Sequence, residues 1–219
     1  MPRPLRIQDA GYVHHVICRG NDRQIIFKSD SDFLAYIDLV EKSRKLYPIH
    51  IYNYCLMDNH LHLLVEPKEE KSLSKFMEDV SKAYAKYFNE KYDHVGHVFQ
   101  GRFKSFLVQE ERYFFVCSRY IDLNPVNALM VTNPIDYKWS GYRLLAAGEE
   151  SALRLDQHEL YINLESNTQE RQIAYKALVH NYQGEELNLL EKRAGVLGDT
   201  IFKDKLKNLL NLNRNEDGT

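Results

Sequence analysis

The stretch from residue 49 to residue 67 constrains the fold more than any other part of this chain. IHIYNYCLM, residues 49–57, is dense in aromatic and β-branched side chains. HLHLLVEP, residues 60–67, follows after only Asp58 and Asn59. Two β-favouring runs joined by a two-residue turn signal predict an antiparallel hairpin.

The flanking segments extend that hairpin into a sheet. Tyr12 to Arg19 (YVHHVICR) reads as a strand that stops at the turn signal Gly20-Asn21-Asp22. A helix is expected from about Asp30 to Tyr47, capped by Ser29 or Ser31 and stopped by Pro48, with Phe33, Ile37, Val40 and Leu46 at helical spacing. Residues 72–92 predict a second helix with Ser72 as cap and Leu73, Phe76, Val80, Tyr84 and Tyr87 as its buried stripe. Residues 95–109 read as one or two short strands broken at Gly101, and residues 110–124 as a third helix ended by Pro125. The order β-α-β-β-α-β, then helix, is α+β and ferredoxin-like: an antiparallel sheet with helices on one face. After Tyr142 the character changes. Gly148 to Ser151 reads as a linker, and residues 156–212 are helical in pattern with no convincing strand, including two short helices within 185–212 that meet near Gly195–Gly198. The expected division is a principal domain over 1–148, a helical C-terminal extension over 149–212, and a disordered tail over 213–219.

Composition restricts function mainly by exclusion. No apolar run approaches the roughly 18 residues of a membrane span. The N-terminal MPRPLRIQDAG has no apolar core, so it is not expected to act as a secretory signal. Cys18, Cys55 and Cys117 are scattered and odd in number, which suits a reducing, cytoplasmic setting better than a disulfide framework. Net charge is −2, with +2 up to Arg143 and −4 beyond it. A basic surface of the usual nucleic-acid-binding kind is absent from the totals, so any DNA contact must come from a local patch.

Three constellations could carry chemistry. His60 and His62 alternate with Leu61 on a predicted strand, so both imidazoles point to one face and can reach one metal ion. Two histidines that merely sit near a sheet edge would look the same. On the third helix, Tyr113, Cys117, Tyr120 and Asn124 fall on one face, while Ser118, Arg119 and Asp122 lie opposite, toward solvent. Tyr120 and Asn124, an i, i+4 pair, thus point inward with the apolar stripe. A buried polar pair is costly without partners, although a tyrosine bonded to nearby backbone would also fit. In FQGRFKSF, residues 99–106, Arg102 and Lys104 alternate with Phe103 and Phe106, a basic side and an aromatic side on one strand. That suits a phosphate backbone, and equally an ordinary amphipathic strand.

Taken together, YCLMDNHLHLLVEP, QGRFKS, RYIDLNPV and WSGY, in that order, resemble the single-tyrosine HUH transposases of insertion sequences, and most of all the REP-associated tyrosine transposases. The resemblance covers about residues 3–143. It departs at Asp58, where the family more often has proline, and at Phe99, where tryptophan is usual. It implies a ferredoxin-like catalytic domain over 1–148 and a metal-dependent single-stranded DNA endonuclease and strand transferase that cleaves beside hairpin or palindromic repeats. Tyr120 matches the family nucleophile, which forms a 5′-phosphotyrosine and leaves a free 3′-OH. His60 and His62 match the histidine pair, and Asn124 occupies the place of the third metal ligand. The implied cofactor is a divalent metal, Mg²⁺, with Mn²⁺ as a substitute. Arg3, Arg6, Arg23, Arg102 and Lys104 are candidate DNA contacts, and a homodimer is an open option. Three alternatives stay in play: a non-cleaving repeat-binding protein, a replication-initiator nickase on the same fold, and a metalloprotein that uses His60 and His62 without nucleic acid.

Overall fold

The computed structural model describes residues 10–181 together with 196, 197, 199 and 202. Its elements run β1 (His14–Arg19), α1 (Asp30–Arg44), β2 (Ile49–Met57), β3 (His60–Pro67), α2 (Ser72–Tyr92), β4 (Lys104–Val108), α3 (Glu110–Asn127), α4 (Tyr142–Ala147), α5 (Glu159–Ile162), α6 (Thr168–His180) and β5 (Val196–Leu197). The sheet order is β2-β3-β1-β4-β5. The first four strands are antiparallel neighbours in the ferredoxin-like order, and β5 joins β4 in parallel. Among the described residues no helix is long and apolar enough to cross a membrane.

The hairpin forms as its sequence predicts. Met57 pairs with His60 across the Asp58-Asn59 turn, and a register shift between Ile51 and Asn53 marks a bulge at Tyr52. Tyr54, Leu56, Leu61, Leu63 and Val65 have no exposed surface. Full burial of side chains of this size stabilises a fold by about 1.5–3 kcal/mol each, before the entropy of ordering them is counted.

Period-two alternation sorts the strand residues onto two faces. Cys18, Leu61 and Leu63 point toward α1 and α2, where burial drives the Cys18 thiol up to about 12 although a Ser81 hydrogen bond opposes it. His15, Ile17, Arg19, His60, His62, Lys104 and Phe106 point to the other face, which α3 crosses. The two crossover helices therefore share one face, and α3 covers the other.

Several local expectations need correction. α1 ends at Arg44, so Leu46 lies beyond it and is exposed. The N-cap of α2 is Lys71, in a left-handed conformation, and Ser72 is the first helical residue with no capping role. Phe88 takes the buried place expected of Tyr87, whose hydroxyl instead donates to Asp32. α3 runs through Pro125 to Asn127, because a proline in the last turn removes only one backbone donor. The tail contains a strand, Val196–Leu197, where none was expected. Most of the two helices expected within 185–212, and the whole tail 213–219, lie outside the described residues.

Residues beyond β4 also close the outer edge of β2. The Leu56 amide donates to the Trp139 carbonyl, Gly141 to Tyr54, and Asp156 to Ile51. The Asp156 carboxylate accepts from the Ile51 amide (2.8 Å) and from the nearly buried Arg44 guanidinium (2.5 Å). An edge strand covered in this way offers no free ladder to another chain.

Candidate nucleic-acid cleavage site

The site is assembled at the sheet face under α3. His60 and His62 lie on β3 with ring centres 5.0 Å apart. The Tyr120 ring stands nearly perpendicular to His62 at 5.4 Å and to His15 at 5.7 Å. One turn along α3, Asn124 donates through Nδ2 to the Tyr120 carbonyl (2.7 Å). Its amide is close enough to both His60 and His62 to favour their protonated forms, against the larger effect of burial. The four residues expected from sequence therefore converge.

Both imidazoles are neutral. Burial, with the Arg19 charge adding to it, lowers His60 to about 4. Burial first, then His15, His60 and Arg19, hold His62 well below its ordinary value. The His60 Nδ1–H donates to Asn59 Oδ1 (2.6 Å), which leaves Nε2 with its lone pair. Asn59 is itself held by its Nδ2 bond to the Arg23 carbonyl (3.3 Å). His62 Nε2 is buried with no hydrogen-bond partner among the described residues. Buried nitrogens of this kind are normally satisfied. A buried ring nitrogen without a partner, beside the bare Nε2 of His60 and a side-chain amide, is a set of groups that fits a divalent ion. Among the described residues no group of three His, Cys, Asp or Glu side chains is placed to hold a metal ion.

A groove of about 530 Å³ opens beside Tyr120, lined by Ile17, Arg19, Arg102, Lys104 and Phe106 among others. Arg102 and Lys104 are exposed there, as a local basic patch requires. Arg102 precedes β4 rather than lying on it. Phe106, two residues from Lys104, shares its face, so the expected split into a basic and an aromatic side fails for that residue. Arg23 is exposed at the end of a short 3-10 helix, Asn21–Arg23, and supplies its carbonyl to Asn59; it does not line the groove. Arg3 and Arg6 lie outside the described residues.

Sequence reasoning missed two groups here. Arg19 pairs in register with His60 and lines the groove. His15 hydrogen-bonds through Nε2 to His62 Nδ1 (2.9 Å). Both share strand parity with Ile17, and the signal available was that β1 must neighbour β3 in a ferredoxin-like sheet.

The outer face of α3 also differs from expectation. Ser118 and Asp122, predicted to face solvent, are buried. Tyr175 of α6 donates to Asp122 Oδ2 (2.6 Å) and lies 2.6 Å from Ser118 Oγ. Asn53 of β2 donates to Asp122 Oδ1 (2.9 Å) and to Ser118 Oγ (2.8 Å). Arg119 reaches the Leu178 carbonyl (3.3 Å). Burial raises the Asp122 carboxyl to about 7, against the lowering effect of the Tyr175 and Asn53 hydrogen bonds. Polar residues on a helix are buried when a later segment supplies partners, and the helix sequence alone does not show that segment.

A ferredoxin-like sheet, a histidine pair on a central strand and a tyrosine on the helix across it define a class of protein, the HUH-type tyrosine transposases. The IS200-like transposase family model matches residues 8–124, more than half of the chain, and the chain belongs to that family. Among solved structures it is similar to a REP-associated tyrosine transposase bound to a REP hairpin, at 18% identity over 72% of this chain and 93% of that one, with a TM-score of 0.57. A protein of Deinococcus radiodurans R1 assigned provisionally as a transposase matches at 15% identity over 52% of this chain and 93% of that one, with a TM-score of 0.37. No curated protein sequence is significantly similar.

Proposed function

We propose that this transposase-family protein is a single-stranded DNA endonuclease and strand transferase that cuts beside hairpin or palindromic repeats. The observation that carries the reading is the convergence of Tyr120 on His60, His62 and Asn124, with Tyr120 also lining a groove that Arg19, Arg102 and Lys104 line. Residues 1–148 form the catalytic domain in this reading, and residues 149–212 the extension. The hairpin held by the similar solved structure supports DNA of that kind as partner.

His60 and His62 through Nε2, with Asn124 through Oδ1, would hold Mg²⁺ or Mn²⁺, which when bound polarises the scissile phosphate and offsets charge on its oxygens. The groove cations bind the flanking phosphates and fix the strand's register. The Tyr120 hydroxyl oxygen attacks phosphorus and loses its proton, while the bond from phosphorus to the 3′ oxygen breaks and that oxygen takes up a proton. The products are a 5′-phosphotyrosine and a free 3′-OH. Attack by a 3′-OH on the phosphotyrosine reverses the exchange, rejoins DNA and restores the phenol, so no nucleotide cofactor is consumed. A cytoplasmic setting suits this activity.

The test uses 3′-labelled single-stranded hairpins from the DNA flanking the gene, incubated with Mn²⁺ and run on a denaturing protein gel. A labelled protein band is expected, absent with chelator and with Tyr120→Phe. Tight binding without any adduct would replace this reading with that of a repeat-binding protein. An adduct that survives Tyr120→Phe would move the nucleophile elsewhere.

A further inference from the structure

His15 is a buried histidine to which no part of the cleavage chemistry gives a role. Its ring is inclined only 18° to that of His62, with centres 5.2 Å apart. The Nε2 to Nδ1 distance is 2.9 Å. That centre separation equals the nitrogen–nitrogen distance plus one ring radius at each end. The rings therefore lie edge to edge, nearly in one plane, which is the geometry of an in-line N–H···N bond and not of face-to-face stacking.

Such a bond holds one proton, and its position decides what His62 can do. If the proton sits on His15 Nε2, then neutral His62 accepts at Nδ1 and carries its own proton on Nε2, the nitrogen that faces the site. That tautomer cannot coordinate a metal. If the proton sits on His62 Nδ1, then His15 Nε2 accepts it, and His62 Nε2 keeps its lone pair. We propose that His15 is a positioning residue that accepts the His62 Nδ1 proton and so presents His62 Nε2 to a divalent metal ion. The inference rests on the metal-dependent reading of the site.

The surroundings favour this assignment. His15 is 1% exposed, so water does not compete for its Nε2. Phe106 packs at 6.1 Å and Tyr120 at 5.7 Å from its ring centre, which confines the ring. This tautomer places the His15 proton on Nδ1, which has no hydrogen-bond partner among the described residues, a cost that metal binding at His62 Nε2 has to offset. His60 receives the same service from Asn59 Oδ1, which takes its Nδ1 proton. Both candidate ligands thus have an acceptor behind them, an amide for one and an imidazole for the other. A ligand histidine held through its second nitrogen is the usual way in which a tautomer and ring orientation are fixed, and losing such a support weakens metal binding by about 10–100-fold.

Two measurements test the proposal on the full chain, and neither depends on DNA cleavage. Long-range ¹⁵N–¹H correlation of the metal-free protein with ¹⁵N-labelled histidine is expected to show His62 protonated at Nδ1 and bare at Nε2. Mn²⁺ titration followed by electron paramagnetic resonance is expected to give about 10–100-fold weaker binding in His15→Phe, with partial recovery in His15→Gln, whose amide oxygen can accept the same proton. Wild-type Mn²⁺ affinity in a folded His15→Phe would overturn the proposal, as would a proton on His62 Nε2 in the metal-free protein. If His15→Phe does not fold, the tautomer measured in the unaltered protein still decides the matter. If the unaltered protein binds no Mn²⁺ although His62 shows the expected tautomer, the metal-dependent reading fails while the positioning of the proton stands.

Discussion

Arg19 and His60 face each other across two strands, and that pairing shows how the site combines positive charge with neutral imidazoles. A guanidinium beside an imidazole disfavours a second positive charge there, so Arg19, which lines the groove, also helps to keep His60 unprotonated. Arg19→Ala and Arg102→Ala are each expected to weaken binding of a single-stranded hairpin. Each should also lower the slope of log affinity against log salt by about 0.7 if it removes one phosphate contact. Fluorescence anisotropy across a salt series measures both. Arg23→Ala should leave the slope unchanged, because Arg23 does not line the groove. His15 and Arg19 escaped sequence reasoning because they reach the site only through pairing between β1 and β3. Tyr120 and Asn124 were legible because one helical turn relates them within a single segment.

At the level of elements, the hairpin β2-β3 and the helix α2 matched their predicted bounds, since alternation, helical spacing and a two-residue turn are local signals. What joins elements was less visible. Asp32 is the clearest case: buried at the start of α1, it accepts from the Lys28 and Ser29 amides (2.7 and 2.9 Å) and from Lys91 (2.6 Å) and Tyr92 (2.7 Å) at the end of α2. Burial raises its carboxyl, but the hydrogen bonds outweigh that and hold it at about 2. A carboxyl depressed in the folded state stabilises it above the unfolded value, near 4, and loses that contribution as pH falls toward 2. Asp32→Asn is therefore expected to cost about 2 kcal/mol at pH 7 and progressively less below pH 4, read from urea unfolding at each pH. Gly20 makes a different junction. A Cβ there would come 2.3 Å from the Gln24 carbonyl oxygen and 2.9 Å from Ile26. Gly20→Ala should destabilise the fold by about 1–3 kcal/mol, seen as a lower Tm, because the obstruction includes backbone.

Across the whole molecule, an apolar cluster apart from the main core joins Tyr142, Leu145 and Ala146 of α4 to Tyr161, Tyr175 and Val179 of the later helices. The outer face of α3 rests on this layer. A chain cut after Gly148 would expose Ser118 and Asp122 without Tyr175 and would uncover the β2 edge that Asp156 closes. It is expected to be poorly soluble, with no cooperative thermal transition by circular dichroism. Tyr175→Phe, a milder change, should cost about 1–3 kcal/mol by leaving a buried acceptor short of its donor. This layer was the least legible part of the chain, because Ser118 and Asp122 read as solvent-facing until a residue more than fifty positions later covers them.

The four-residue contact of Asn53, Ser118, Asp122 and Tyr175 also bears on how relatives of this chain can diverge. Each side chain satisfies another in a space closed to water, so the cost of changing one depends on the other three. Drift at these positions is expected to be correlated: a lineage that replaces the tyrosine at 175 should also give up the acid at 122, and positions 53 and 118 should turn apolar along with them.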